Sequence, residues 1–187
     1  DGRGWAPATA LMHADDSFDR SERHYEVGYY HTSGMSTLTV PAGEFTVQVT
    51  RGLEYAVSTQ RVQVSAKGAK TVRATMRRLV NLPASGWYSG DLHVHMNYGG
   101  TYRTVPTQLA FMARAEDLHV IEELIVNKEQ RVPDISYFDN GRPDPVSTPT
   151  TLIVHGQEFH TSYWGHSGLL GLTKNIILPG YAAYANT

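Results

Sequence analysis

The segment Gly90-Asp91-Leu92-His93-Val94-His95 constrains this chain more than any other. Gly86 and Gly90 precede its core and the pair Gly99-Gly100 follows it, so turn signals bracket it and it reads as a short strand. Side chains two apart on a strand share a face. The His93 and His95 imidazoles can therefore converge on one metal ion, which on a helix would take i, i+4 spacing. Asp91 falls on the same face by alternation, where it would orient an imidazole or bridge metals.

Around that strand the chain has two textures. Residues 1–80 read as β. Thr37-Leu38-Thr39-Val40 alternates, Pro41-Ala42-Gly43-Glu44 turns, and Phe45 to Thr50 alternates again up to Arg51-Gly52. Val57 to Val64 gives a third run, and Thr71 to Met76 a fourth after the turn Ala66 to Lys70. His24 to His31 is a candidate fifth. Short alternating strands with glycine-bearing turns predict an antiparallel β-sandwich. Asn81 to Gly86 then reads as a linker. Beyond it, Pro106 to about Leu118 predicts a helix capped by Thr104 or Thr107. Val120 to Val126 predicts a buried strand, Arg131 to Pro149 a long loop, Thr151 to Val154 a strand running into His155-Gly156-Gln157-Glu158, and Leu169 to Leu172 a last strand. Strand, helix, strand, loop, strand is an α/β order, so residues 81–187 are expected to form an α/β region behind an all-β one.

Composition narrows the chemistry. A chain of 187 residues holds one ordinary domain or two small ones. A net charge of -2 gives no footprint for nucleic acid. No apolar run approaches the roughly 18–20 residues that span a bilayer. The absence of cysteine removes disulfides, thiol catalysis and thiolate metal sites together. It leaves the compartment open, with an extracytoplasmic one, secreted or periplasmic, favoured. The first residue is Asp1 rather than Met, which points to a processed or upstream N-terminus. Five of the nine histidines, His93, His95, His155, His160 and His166, lie in the second half near an acid.

Catalytic metal ligands sit on rigid elements with one coordination position left open for water. The candidates fall at strand ends: His93 and His95 on one strand, Glu158 and His160 after another, then His166. Imidazole with carboxylate suits Zn, Mn or Fe, and such clusters can hold one to three ions.

Gly86-Trp87-Tyr88-Ser89-Gly90-Asp91-Leu92-His93-Val94-His95 resembles the opening motif of the polymerase and histidinol phosphatase (PHP) superfamily, and most of all its CehA/McbA-like metallohydrolases. Gly156-Gln157-Glu158 resembles the later glycine-x-glutamate motif, and Gly165-His166 the Gly-His after it. The likeness covers about residues 84–172. It implies a distorted (β/α)7 barrel with His93, His95, Glu158 and His166 as ligands of a divalent metal centre. The implied reaction is hydrolysis of a phosphoester, ester or amide by metal-activated water. Asp91, Lys128 and His160 would then serve the substrate or orient the ligands. Two departures stand out. The family's Thr-Asp-His motif is replaced by Val126-Asn127-Lys128-Glu129, and its late Asp-x-His motif is missing. A barrel of this kind takes more than about 200 residues, so residues 81–187 would be an incomplete one. Val40-Pro41-Ala42-Gly43-Glu44-Phe45-Thr46-Val47 resembles the carboxypeptidase-regulatory-like, transthyretin-type sandwich, which implies an accessory role for residues 1–80.

Plainer readings stand beside these. His13, His24 and His31 read as surface histidines, His119 as a helix-end contact, and His155 as a strand-end residue. Glu122 and Glu123 read as a solvated edge, and Lys128 as a surface lysine. Trp87, Tyr88, Tyr98, Tyr102, Tyr163 and Trp164 read as packing aromatics. The rival to a hydrolase acting on a small phosphoester or ester is a non-catalytic metal- or ligand-binding module, completed as a homo-oligomer, or a fragment of a larger enzyme.

Overall fold

The computed structural model describes residues 4–11, 29–97, 103–126, 132–160 and 165–176. Six strands and one substantial helix make up the regular structure of those residues. Strands β1 (Gly43–Val49) and β2 (Ser58–Val64) form an antiparallel pair. Strands β3 (Gly90–Val94), β4 (Val120–Val126), β5 (Leu152–His160) and β6 (His166–Leu169) form one sheet in that order. Helix α1 (Pro106–Ala115) lies between β3 and β4 in the chain. A single turn, α2 (Val132–Ile135), lies between β4 and β5. None of the described helices is long and apolar enough to cross a membrane.

Neither expected architecture is present. The (β/α)7 barrel expected of residues 81–187 is replaced by a four-stranded sheet. Its first three strands are parallel and the last pair is antiparallel. Two connections account for this. A parallel crossover takes about a dozen residues or more, and the link between His160 and His166 is too short for one. β6 therefore folds straight back on β5 and ends the parallel run. The β4–β5 connection is long, yet only the four residues of α2 are helical among its described residues. The Pro-, Asp- and Gly-rich run that follows cannot build a covering helix there.

The sandwich expected of residues 1–80 is likewise absent among the described residues, where only β1 and β2 pair as a ladder. Thr37–Val40 and Thr71–Met76 form no strand, and residues 24–28 of the His24–His31 candidate lie outside the described residues. Thr71–Met76 does keep the alternating exposure its sequence predicts, but it meets β2 through one bond, Gln60 Nε2 donating to the Arg73 carbonyl. Val62 is the one buried apolar side chain of β1 and β2. A two-stranded sheet is marginal alone, and charged contacts tie this one to the rest. Arg78 reaches Glu54 Oε2 (2.9 Å) and Asp117 Oδ2 (2.8 Å) with its guanidinium over the Tyr55 ring, and Arg51 takes Asp117 Oδ1.

Helix α1 starts at Pro106, whose missing N–H costs nothing in a first turn. The expected threonine cap is not made. Val105 stands at the N-cap without a side-chain bond, and Thr104 Oγ1 donates instead to Gln108 Oε1. Leu109, Ala110 and Ala113 pack on Ile121, Ile153 and Met96, with Val94 and Tyr137 against them. This fixes the helix side of the sheet. By alternation Glu123 and Ile125 of β4 share that side with His155 and Gln157 of β5, their register partners. Glu122, Leu124 and Glu158 point to the opposite side, as do His93 and His95.

Candidate metal centre

On that opposite side three of the four expected ligands converge. His93, His95 and Glu158 present one donor atom each, all within 4.8 Å of one another. His95 Nε2 is 2.9 Å from Glu158 Oε2 and 3.2 Å from His93 Nε2, and His93 Nε2 is 3.6 Å from the same oxygen. The Glu158 side chain is only 2% exposed, whereas that of His93 is 58% exposed. The cluster thus has a carboxylate floor and an open rim.

The local sequence explains the placement. A Cβ at Gly90 would lie 2.8 Å from the Val120 carbonyl, so glycine lets β3 close on β4 at the start of the motif. Gly90 and Asp91 align with Val120 and Ile121, but Val94 aligns with Glu123, so β3 carries a bulge across His93. The bulge changes the placement expected of Asp91. It breaks the alternation that would have put Asp91 beside the imidazoles, and Asp91 Oδ1 instead accepts the backbone N–H of His93 (3.1 Å).

His95 Nδ1 is 2.7 Å from the Leu124 carbonyl, so that nitrogen carries the proton and Nε2 keeps its lone pair. Glu158 Oε2 is buried and has no hydrogen-bond donor among the described residues, although His95 Nε2 stands so close. A lone-pair nitrogen beside a buried carboxylate oxygen is an arrangement that a cation between them would satisfy. Tetrahedral donors about 2.1 Å from a common ion stand roughly 3.4 Å apart, and the three separations bracket that value. The cluster is therefore able to hold a metal ion.

The other expected site residues are placed differently. His166 falls outside the converging set, and its Nδ1 lies 2.6 Å from Glu158 Oε1. His160 is the cross-strand partner of His166, and their rings lie 3.6 Å apart at 38°. Lys128 lies outside the described residues, as do Tyr98, Tyr102, Tyr163 and Trp164. Trp87 and Tyr88 are exposed, and the Tyr88 ring meets that of His119 edge-on. His119 is no helix-end contact; its Nδ1 meets Ser89 Oγ.

Glu122, Glu123 and His155 differ most from expectation. All three are buried, and His155 lies within β5 rather than at its end. On the helix side His155 is clamped between Glu123 Oε2 and Asp144 Oδ2, each 2.9 Å away, with Tyr137 stacked on its ring. Burial pushes the Glu123 carboxyl up to about 7, with Asp134 adding to the rise and the His155 bond opposing it. Burial alone would lower His155, but its two carboxylate bonds outweigh that and hold it above its ordinary value. One signal in the sequence could have found this cluster: two adjacent acids in the apolar run Val120 to Val126 cannot both face solvent.

Glu122 crosses over Gly156 to accept the Gly171 N–H at 3.0 Å. A Cβ at Gly156 would meet Glu122 Oε1 at 2.4 Å and the Leu169 carbonyl at 2.7 Å. Gly156→Ala should therefore cost about 1–3 kcal/mol of stability, read as a lower urea midpoint. A midpoint equal to the parent's would show that the carboxylate and β6 can step aside freely.

Fold and site together define a strand-dominated chain with a two-histidine, one-glutamate cluster. No protein-family model, no curated protein and no solved structure matches it.

Proposed function

We propose that this chain is a metal-dependent hydrolase that binds one divalent transition ion, Zn, Mn or Fe, through His93, His95 and Glu158. The observation that carries the reading is the buried, donor-less Glu158 Oε2 facing two imidazole nitrogens. Two imidazoles and one carboxylate with an open position suit these ions and suit hydrolysis. The likeness of Gly86–His95 to the PHP opening motif supports hydrolysis over simple metal storage; the fold adds nothing to that choice.

A bound ion would supply activated water and polarise the oxygen of a phosphoester, ester or amide. The chain's own residues set the stage for it. Leu124 holds the His95 tautomer through its carbonyl, and Asp91 holds the backbone beneath His93. Glu158 contributes the negative charge from the floor, and the exposed His93 side leaves room for a substrate to approach.

The test is elemental analysis of the purified chain, followed by turnover of chromogenic phosphoesters, carboxyl esters and amides after loading with each metal. About one equivalent of metal is expected, lost together with turnover in His93→Ala/His95→Ala. A chain that holds no metal and is indifferent to the double substitution would sink the metal reading. Metal without turnover of any of the three classes would leave the non-catalytic binding module in its place.

A further inference from the structure

We infer that His166 is a positioning residue and not a metal ligand: it occupies one oxygen of Glu158, so that the carboxylate offers only the other and the centre takes a single ion. The inference rests on the metal reading above and goes beyond it in assigning stoichiometry and a role.

The two oxygens of Glu158 have different neighbours. Oε2 is the one that both His93 and His95 approach, at 3.6 and 2.9 Å. Oε1 is taken by His166 Nδ1 at 2.6 Å. Donors bound to a common tetrahedral ion at about 2.1 Å stand roughly 3.4 Å apart, and the His166 contact is well short of that. It is a close contact of an imidazole nitrogen with a carboxylate oxygen, at ion-pair distance. An imidazole held against one oxygen of a carboxylate orients that group, as outer-shell partners of metal ligands do.

The rest of β6 is built to hold that imidazole in place. The ring of His166 lies against that of the buried His160, its cross-strand partner. Beyond the strand, the Gly171 N–H is pinned by Glu122, which reaches it over the bare Cα of Gly156. Glu122 and His160 thus set β6, β6 sets His166, and His166 sets Glu158.

The experiment is zinc titration of the full chain against a competing chelator, for the parent, His166→Ala and His166→Asn. Visible absorption of the cobalt-substituted forms is recorded alongside. The parent should bind one equivalent. His166→Ala should still bind one, about 10–100-fold more weakly, with unchanged cobalt band positions. His166→Asn, whose Nδ2 can donate from nearly the same place, should recover most of the loss. Two equivalents in the parent and one in His166→Ala would overturn the inference by making His166 a ligand, as would shifted cobalt bands. Equal affinity in His166→Ala would overturn it by leaving the residue no role. No zinc in the parent would sink this inference and the metal reading together, an outcome distinct from the other three.

Discussion

Glu158→Gln should weaken metal binding by more than about 100-fold while leaving the fold intact. The substitution keeps the shape of the side chain and removes its charge. The glutamine oxygen can keep the place of Oε1 beside His166, leaving an amide NH₂ in the position of Oε2. That group has no lone pair to give, and it can donate to His95 Nε2, satisfying the very atom that the carboxylate leaves facing an acceptor. In metal-free buffer the variant should melt no lower than the parent, because a side chain 2% exposed no longer carries a buried charge. Metal titration and thermal melting read the two effects separately. Retained affinity would remove Glu158 from the site, and a collapse in melting temperature without metal would make its role structural.

His155→Leu should cost about 3–5 kcal/mol, a large share of the roughly 5–15 kcal/mol that holds a typical domain together. The imidazole is buried and is the shared partner of Glu123 and Asp144, so its loss strands two carboxylates in the interior. The loop end that carries Asp144 goes with it. Adding Glu123→Gln and Asp144→Asn should restore part of the stability, since neutral amides cost less to leave in the interior. The pH dependence has a definite sign. Folding raises the Glu123 carboxyl to about 7 from an ordinary 4.5, so its contribution is complete below 4.5 and lost as pH climbs through 7. His155 is also raised, so its contribution is complete below 6.5 and lost as pH rises through its higher folded value. Both act in the same direction. The urea midpoint should fall from about pH 5 upward past 7, and Glu123→Gln should flatten the acid part of that slope. A midpoint that rises over this range would refute the assignment.

Much of the metal cluster was legible in the sequence because its signals are local. His93 and His95 share a face where the backbone between them stays extended, and Glu158 falls where a second strand brings it alongside. Helix α1, strand β4 and the first part of β5 were legible for the same reason, whereas β5 runs on through Glu158 to His160, past the Thr151–Val154 strand that the sequence predicts. The parts that were not legible depend on contacts distant in the chain. The bulge that turns Asp91 away is set by the pairing of β3 with β4, not by the residues of β3 alone. Glu122 and Glu123 look solvated until Gly171 and His155 come into place beside them. The Leu124 carbonyl that orients His95 is a backbone group and leaves no trace in residue type. The barrel was implied by the likeness of the motifs and the sandwich was read from alternation, but short motifs do not carry the rest of a barrel, and alternation says which face is buried and not which strand will pair with it.

The pairing of β4 with β5 carries a consequence for how this chain tolerates change. His155 and Glu158 are three positions apart and serve opposite sides of one sheet, each in register with a residue of β4. Losing one residue between them would reverse part of the strand and send one of the two groups to the wrong side, and sliding β5 by one would send both. The acid clamp and the metal cluster can each drift independently through substitutions, but an insertion or deletion here would strike at least one of them outright. The stretch from 155 to 158 is therefore intolerant of any change in its length, beyond what each of its side chains costs to exchange.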